Sequence, residues 1–208
     1  VTESIFSMDG DETNLAALVQ LKKRFAKTML YVDEAHSIGV RGQQGLGCAE
    51  QYNLIQEIDF LVGTLGKALA AVGGYIICDP IIKDYLINKM RPLIFSTAQP
   101  PIVIAWANFI FQKVLASQSQ REHLKNISQY LQQAVVQKGY DSPSTSHIIP
   151  VIVGESQAAI DKAKKVQKSG FFAMPVRPPT VPKNSSRLRI SLTSMVQQHE
   201  LEELVSFL

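Results

Sequence analysis

The sequence has 208 residues, of which 46% are hydrophobic and 19% are charged, and its formal net charge is +3 at pH 7. A chain of this length can bury a sizeable core, and the near balance of charge, without a Lys/Arg block, argues against a nucleic-acid or anionic-membrane partner. No apolar run reaches the roughly 18 residues that a membrane span requires. Cys48 and Cys78 fit neither a disulfide framework nor a metal site, so we expect reduced thiols, a cytoplasmic protein and no bound metal.

The chain opens on VTESIFSMDGD, an apolar, strand-like segment that leads directly into turn residues, without an initiator Met. This pattern is typical of a chain that enters in the middle of a fold. We therefore expect the sequence to be truncated at its N-terminus.

The first half predicts alternating strands and helices. Residues 1–7 predict a short strand, and Asp11 in the following turn is a candidate N-cap for the helix predicted by TNLAALVQLKKRFAK. The apolar runs of TMLYVDEA, EIDFLVGT and GGYIICD predict buried strands. DPIIKDYLINKMRPLIF predicts a helix that is capped by Asp79, has Pro80 in its first turn and ends at Pro92. This order favours an α/β fold with a mostly parallel sheet.

The second half predicts a smaller α+β domain. A long, mostly helical stretch spans 101–138, and a loop rich in Ser and Pro, GYDSPSTSH, follows it. IIPVIVG, FFAMPV and RLRISL predict strands, with helices at 155–168 and 197–207. We therefore predict a partial large domain at 1–110 and a small C-terminal domain at 111–208, linked by the long helix.

Lys67, in DFLVGTLGKALAAVGG, is either a phosphate-loop lysine or a lysine that binds pyridoxal phosphate as a Schiff base. A phosphate loop has the pattern Gly-x-x-x-x-Gly-Lys-Ser/Thr. Here the first glycine, Gly63, is one residue too close, and Ala68 stands where the magnesium-binding hydroxyl belongs. The spacing therefore disfavours the phosphate loop.

The pyridoxal-phosphate interpretation needs a lysine for the cofactor's aldehyde and an acid for its pyridine nitrogen. Asp33, at the end of an apolar run, is placed to be that acid, and His36 follows it in VDEAHSIG. Thr64 can offer a hydroxyl to the cofactor, and the small residues around Lys67 leave room for a substrate. Each residue alone is commonly a cap or a surface residue, so the prediction depends on their combination.

SRLRISL alternates basic and aliphatic residues, which places Arg187 and Arg189 on one face of the predicted strand. A guanidinium fixed in this way is suited to a carboxylate, although a solvated strand edge gives the same pattern. The stiff segment VRPPTVP, just before it, would fix Arg177 and Thr180 at the wall of a pocket or form a surface loop.

As a set and in this order, TESIFSMDGD, VDEAHSIGVRGQQGLG, GTLGKALAAVGG, FSTAQPP and RPPTVP…SRLRISL resemble the α-oxoamine synthases. These are enzymes of the type I pyridoxal-phosphate transferase fold, and RPPTVP favours their biotin-biosynthesis branch. The resemblance implies a decarboxylative condensation of L-alanine with a pimeloyl thioester of CoA or of a carrier protein.

The resemblance also implies roles for single residues. Lys67 would hold pyridoxal 5'-phosphate covalently and move the α-proton, while Asp33 and His36 would bind the pyridine nitrogen and the phenolic oxygen of the cofactor. The other residues it assigns are Ser7 and Thr64 for the cofactor, Arg189, Arg177 and Thr180 for the substrate, and Ser96 and Thr97 for the cofactor phosphate of a partner subunit. The last pair implies a homodimer with shared active sites.

The family's phosphate-binding loop and its His that stacks on the pyridine ring are not found in this sequence. We therefore expect the chain alone to bind the cofactor weakly and to be inactive. Two alternatives remain open at this stage, a sibling enzyme that uses glycine or serine with another acyl thioester, and a non-catalytic partner subunit of the same fold.

Overall fold

A computed structural model describes all residues from 1 to 208. The helices are α1 Leu15–Arg24, α2 Cys48–Gln51, α3 Pro80–Lys89, α4 Arg91–Ile94, α5 Pro101–Leu115, α6 Gln118–Gln137, α7 Ser156–Lys168 and α8 Gln198–Phe207, with a 3-10 turn at Ile55–Glu57. The strands are β1 Thr2–Glu3, β2 Tyr31–Asp33, β3 Phe60–Thr64, β4 Gly74–Cys78, β5 Ile148–Gly154, β6 Met174–Val176 and β7 Ser186–Ser191. None of the helices combines the length and the apolarity that crossing a membrane requires.

The chain forms two compact units. Unit 1 comprises Val1–Ser4 and Thr13–Gln118, and unit 2 comprises Ile5–Glu12 and Ser119–Leu208. The predicted boundary between residues 110 and 111 falls inside α5, whereas the units separate after Gln118 and unit 2 also takes in a short segment near the start of the chain.

Unit 1 is built on a four-stranded sheet in the order β1-β2-β3-β4. The first three strands are parallel, and Val32 and Leu61, which pair in register, are both buried. β4 runs antiparallel to β3, because the connection between them, residues 65–73, is too short for the crossover that a parallel strand needs. The predicted mostly parallel α/β sheet is therefore present, with one antiparallel strand at its end.

The helix caps of unit 1 agree with the predictions in one case and differ in the other. Asp79 caps α3, since its carboxylate accepts a hydrogen bond from the N–H of Ile81 at 2.8 Å, and Pro80 occupies the first turn. The N-cap of α1 is Asn14, whose side chain accepts from the N–H of Ala17 at 3.0 Å. Asp11 is therefore not the cap.

The helical stretch 101–138 is two helices rather than one, because the chain leaves helical geometry after Leu115 and resumes it at Gln118. α5 belongs to unit 1, and α6 belongs to unit 2. The apolar side chains of α6 recur at helical spacing on a buried face, and they are Leu124, Ile127, Leu131 and Val135.

The prediction that α3 ends at Pro92 is wrong by a few residues. Helix α3 already ends at Lys89, and Pro92 lies in the next helix, α4.

Unit 2 has an antiparallel sheet in the order β5-β7-β6. Helix α7 packs against this sheet and buries Ala159, Ala163 and Val166. In β7, Leu188 and Ile190 are buried, as the alternating pattern predicts.

The segment Ile5–Glu12 is a tight hairpin that packs within unit 2. Ile5 and Glu12 form an antiparallel bridge, and the N–H of Phe6 donates to the carbonyl of Asp11 at 3.0 Å. Gly10 sits at the tip with φ +68°, and its carbonyl accepts from the N–H of Thr145 at 3.2 Å. A Cβ on Gly10 would lie 1.9 Å from the carbonyl oxygen of Ile148. The hairpin therefore fits against the rest of unit 2 only with glycine at this position.

We predict that Gly10→Ala lowers the free energy of unfolding by about 3 kcal/mol or more, because it adds a backbone clash to the strain of a left-handed conformation. Urea unfolding followed by circular dichroism would measure the loss.

The matched control is Gly139→Ala, at a glycine with φ +86° and nothing within 4 Å of the added Cβ. It should cost only about 1 kcal/mol. Equal losses in the two variants would contradict the packing explanation.

Candidate active site

The polar residues predicted to carry chemistry in unit 1 lie where its parallel strands end. Asp33 is the last residue of β2, and Thr64 is the last residue of β3. Because the carboxyl ends of parallel strands meet at one edge of a sheet, this edge is where such folds bind ligands. Lys67 lies in the loop that follows β3, at the same edge.

The structure brings Lys67 and His36 into direct contact. The amine of Lys67 lies 3.0 Å from Nε2 of His36, although 31 residues separate them in the sequence. Lys67 is exposed and His36 is half-buried. An amine beside an imidazole can exchange a proton with it, so this pair can do acid–base chemistry.

The loop that carries Lys67 is closed by hydrogen bonds at both ends. The hydroxyl of Thr64 accepts from the N–H of Gly66 at 3.1 Å and donates to the carbonyl of Gly73 at 3.3 Å. Leu69 is buried and anchors the loop, and the indole N–H of Trp106 donates to the carbonyl of Ala70 at 2.9 Å. These contacts fix the conformation of the loop and so the place from which the side chain of Lys67 extends.

Small residues allow the loop of Lys67 to approach the loop of His36. A Cβ on Gly39, which has φ +78°, would lie 2.6 Å from the Cβ of Ala68. Ala68, which disfavours a phosphate loop by its lack of a hydroxyl, is therefore a packing residue. The contact keeps the two loops close enough for the Lys67–His36 pair to form.

Asp33 has one oriented and one available carboxylate oxygen. Its Oδ1 accepts from the N–H of Ala35 at 2.8 Å, whereas its Oδ2 makes no hydrogen bond within the protein. An acceptor held in this way suits a protonated ring nitrogen.

Glu34, which our sequence reasoning missed, fixes the loop that carries Asp33 and His36. Its carboxylate is buried and accepts from the hydroxyl of Ser4 at 2.7 Å and from the N–H groups of Cys48 at 3.1 Å and Ala49 at 2.7 Å. The hydroxyl of Ser4 also lies 2.8 Å from that of Ser37. An acidic residue immediately after a buried strand is a signal that could have identified Glu34, but the sequence interpretation assigned a function only to the neighbouring Asp33.

Tyr75 lies next to these acids on β4. Burial, with smaller contributions from the charges of Glu34 and Asp33, raises the pKa of Tyr75 to about 12. Its hydroxyl occupies the space that a Cβ on Gly63 would need, at 2.3 Å. A side chain at Gly63 would therefore have to displace the ring of Tyr75 on the neighbouring strand.

Four further predicted site residues, Ser96, Thr97, Arg177 and Thr180, are exposed. Ser96 and Thr97 are exposed in the irregular segment between α4 and α5. Arg177 and Thr180 are exposed in unit 2, in a turn closed by a 3.0 Å hydrogen bond from the N–H of Thr180 to the carbonyl of Arg177.

In unit 2, the two arginines of β7 have different partners, both in the Ile5–Glu12 hairpin. Arg187 is buried and forms an ion pair with Asp9, 178 residues away in the sequence. Arg189 donates from Nε to the carbonyl of Ser7 at 2.6 Å and from Nη1 to the hydroxyl of Ser191 at 2.7 Å. Burial lowers the pKa of the Arg189 guanidinium from its ordinary value. Arg187 thus has a structural partner, whereas Arg189 keeps N–H groups, those of Nη2, that make no hydrogen bond in the protein.

The model of the family described as aminotransferase class I and II matches residues 1–208. The chain belongs to this family. Pyridoxal phosphate is the cofactor of the family, as the sequence predicts.

The chain is similar to curated proteins provisionally named 8-amino-7-oxononanoate synthase. One, from Haemophilus influenzae, is 54% identical over 203 residues, which is 98% of this chain and 53% of the relative. Another, from Pasteurella multocida, is 53% identical over 209 residues, which is 100% of this chain and 54% of the relative. The chain therefore spans about half the length of the curated relatives it matches.

Solved structures share the fold. A structure of SPT with PLP has a TM-score of 0.92 and 28% identity, and the match covers 99% of this chain and 52% of that one. The 8-amino-7-oxononanoate synthase of Francisella tularensis has a TM-score of 0.88 and 26% identity, over 99% of this chain and 60% of that one. The predicted resemblance to α-oxoamine synthases and the predicted fold class are both confirmed.

The residues of unit 1 fit the cofactor chemically. Lys67 offers an amine, Asp33 offers a carboxylate oxygen that has no partner within the protein, and His36 and Thr64 add donors at the same edge of the sheet. This set matches the groups that pyridoxal phosphate needs at its aldehyde, ring nitrogen and ring oxygen.

We predict that Glu34→Gln lowers the free energy of unfolding by about 3 kcal/mol, because an amide NH₂ would then face backbone N–H donors in a buried position. Urea unfolding at neutral pH would measure the change.

Glu57→Gln is the matched control, since Glu57 forms a solvent-exposed ion pair with Lys23 at 2.9 Å. Its loss should be below about 1 kcal/mol. A loss at Glu34 as small as the loss at Glu57 would contradict the anchoring role.

Proposed function

We propose that the complete enzyme condenses L-alanine with a pimeloyl thioester of CoA or of a carrier protein. The products are 8-amino-7-oxononanoate, carbon dioxide and the free thiol, which is a step of biotin biosynthesis. The names of the relatives at 53–54% identity support this assignment. The observation that carries it is the 3.0 Å contact between Lys67 and His36 at the edge of the sheet where Asp33 ends β2.

Pyridoxal phosphate, when bound, supplies the electron sink that makes the α-carbon of an amino acid acidic. Lys67 is the residue that we propose to hold the cofactor covalently and then to take and return the α-proton at its amine. The imidazole of His36, in contact with that amine, is positioned to hold a proton and to donate to the ring oxygen. Asp33 is proposed to keep the ring nitrogen protonated through its available oxygen, with Thr64 and Ser7 as further cofactor ligands.

The substrate carboxylate needs a cation, and Arg189 is the proposed partner. Its guanidinium is half-buried, and its Nη2 makes no hydrogen bond within the protein. A planar fork of this kind binds a carboxylate through two parallel hydrogen bonds. Arg177 and Thr180, both exposed, are proposed to contact the rest of the substrate.

A homodimer with shared active sites is part of the proposal. Ser96 and Thr97 are exposed and are proposed to reach the partner subunit's cofactor phosphate. Nearby large apolar side chains are also exposed, among them Phe95, Ile102 and Phe109, which supports a face that is covered in the assembly. We also propose a cytoplasmic location, which agrees with Cys48 and Cys78 not forming a disulfide.

A sibling α-oxoamine synthase that uses serine or glycine is the second candidate function. The observation in its favour is the TM-score of 0.92 to a protein described as serine palmitoyltransferase from Sphingomonas wittichii, at 30% identity. The higher identity to the 8-amino-7-oxononanoate synthase relatives favours alanine. A non-catalytic subunit would not need Lys67, His36 and Asp33 together at one edge of the sheet.

The experiment that tests the proposed reaction offers alanine, glycine and serine, each with pimeloyl-CoA, to the full-length enzyme. We expect release of CoA and carbon dioxide with alanine at a rate at least about tenfold above the other two amino acids. The isolated chain of residues 1–208 should give no turnover. A response to glycine or serine alone would remove the alanine assignment.

We predict that Lys67→Ala in the full-length enzyme lowers kcat by roughly 10⁴-fold, because it removes both the covalent link and the proton carrier. CoA release under saturating substrates would measure the loss, and cofactor absorbance would report the lost attachment.

Lys164→Ala is the control, since Lys164 is an exposed lysine of α7. It should retain wild-type kcat. Activity that survives in the Lys67→Ala enzyme would mean that another residue holds the cofactor.

A further inference from the structure

Arg189 is oriented by one edge of its guanidinium. Its Nε donates to the carbonyl of Ser7 at 2.6 Å, and its Nη1 donates to the hydroxyl of Ser191 at 2.7 Å. The rest of the planar fork is left for a ligand. Because the guanidinium is rigid and flat, the position of the Ser7 carbonyl decides where its remaining N–H groups point.

The Ser7 carbonyl belongs to a hairpin that a second, parallel contact holds on the same strand. Asp9 lies two residues after Ser7, and its ion-pair partner Arg187 lies two residues before Arg189. Since side chains two residues apart in a strand share a face, both contacts join the hairpin to one face of β7. The hairpin is thus pinned at two neighbouring points.

The pair of Asp9 and Arg187 is a strong constraint because the arginine is buried. Its side chain is 4% exposed, against 39% for that of Asp9, and its Nε also donates to the carbonyl of Ser185 at 2.9 Å. A guanidinium buried to this degree is unfavourable without a carboxylate partner. Asp9 therefore cannot leave Arg187 without a large penalty, and the hairpin is held with it.

We infer that Asp9 is a positioning residue for recognition of the amino-acid carboxylate, acting through Arg187 and the Ser7 carbonyl to aim Arg189. This inference rests on the proposed role of Arg189 as the carboxylate ligand. The affinity that Arg189 gives for the substrate carboxylate then depends on the Asp9–Arg187 pair. Asp9 and Arg187 pair with each other, and we assign neither of them a contact with the substrate.

The test compares variants of the full-length, cofactor-loaded enzyme. Asp9→Asn removes the charge that holds the hairpin, and we expect it to raise the KM for L-alanine by about tenfold or more, with kcat within about threefold of wild type. The KM for the acyl thioester should stay the same. Asp11→Asn is the matched control, since it removes the same charge from the same hairpin at a carboxylate that makes no ion pair or side-chain hydrogen bond.

A ligand without a carboxylate separates aiming from general damage. The Kd of L-alanine should rise in Asp9→Asn in proportion to its KM, whereas the Kd of ethylamine should be unchanged. Asp9→Glu keeps the charge and should recover most of the affinity for L-alanine. Equal weakening of both ligands, or an equal effect of Asp11→Asn, would overturn the inference.

The double variant Asp9→Leu/Arg187→Met covers the case in which Asp9→Asn does not fold. Replacing both members of a buried ion pair by apolar residues is often neutral for stability. We expect this enzyme to fold and to show the same rise of about tenfold in the KM for L-alanine. An unchanged KM in the folded double variant would contradict the positioning role. Failure of the proposed function, in contrast, would appear in the unmutated enzyme as an absence of turnover.

Discussion

The buried carboxylate of Glu34 is the interaction on which the geometry of unit 1 depends. It accepts hydrogen bonds from the hydroxyl of Ser4 and from two backbone N–H groups at the start of α2, and thereby ties two separate segments to the end of β2. Asp33 and His36 flank this anchor in the sequence, so their positions follow from it. The close contact between Gly39 and Ala68 then brings the loop of Lys67 against them. A residue with no proposed part in the chemistry thus sets the distance between residues that have one.

In unit 2, the segment that must be held in place is the hairpin at Ile5–Glu12. This hairpin comes from the beginning of the chain but packs with strands from its end. A glycine that admits no side chain and an ion pair with a buried arginine fix it there. In both units, buried groups support a polar side chain that keeps one atom without a hydrogen bond in the protein, Asp33 in unit 1 and Arg189 in unit 2. Such a division is expected of sites whose ligands must be oriented before they react.

The sequence predicts local features well and long-range pairings poorly. Apolar runs located β2, β3 and β4, and Asp79 followed by Pro80 located the start of α3, because these signals act over a few residues. The break between α5 and α6 was not predicted, because the residues at the break are Ala116 and Ser117 and neither is a helix-breaking Gly or Pro. The Asp9–Arg187 pair could not be predicted, because alternation shows which face an arginine occupies but not which distant carboxylate meets it. The grouping of Asp33, His36 and Lys67 rested on their common place after strands, and the structure adds the contact between the last two.

Lys67 is the residue that we propose to hold the cofactor. The most direct measurement is borohydride treatment of the full-length, cofactor-loaded enzyme, followed by proteolysis and mass spectrometry of every lysine-containing peptide. We predict a phosphopyridoxyl group on Lys67 and on no other lysine. Modification of a different lysine, with the Lys67 peptide unmodified, would contradict it.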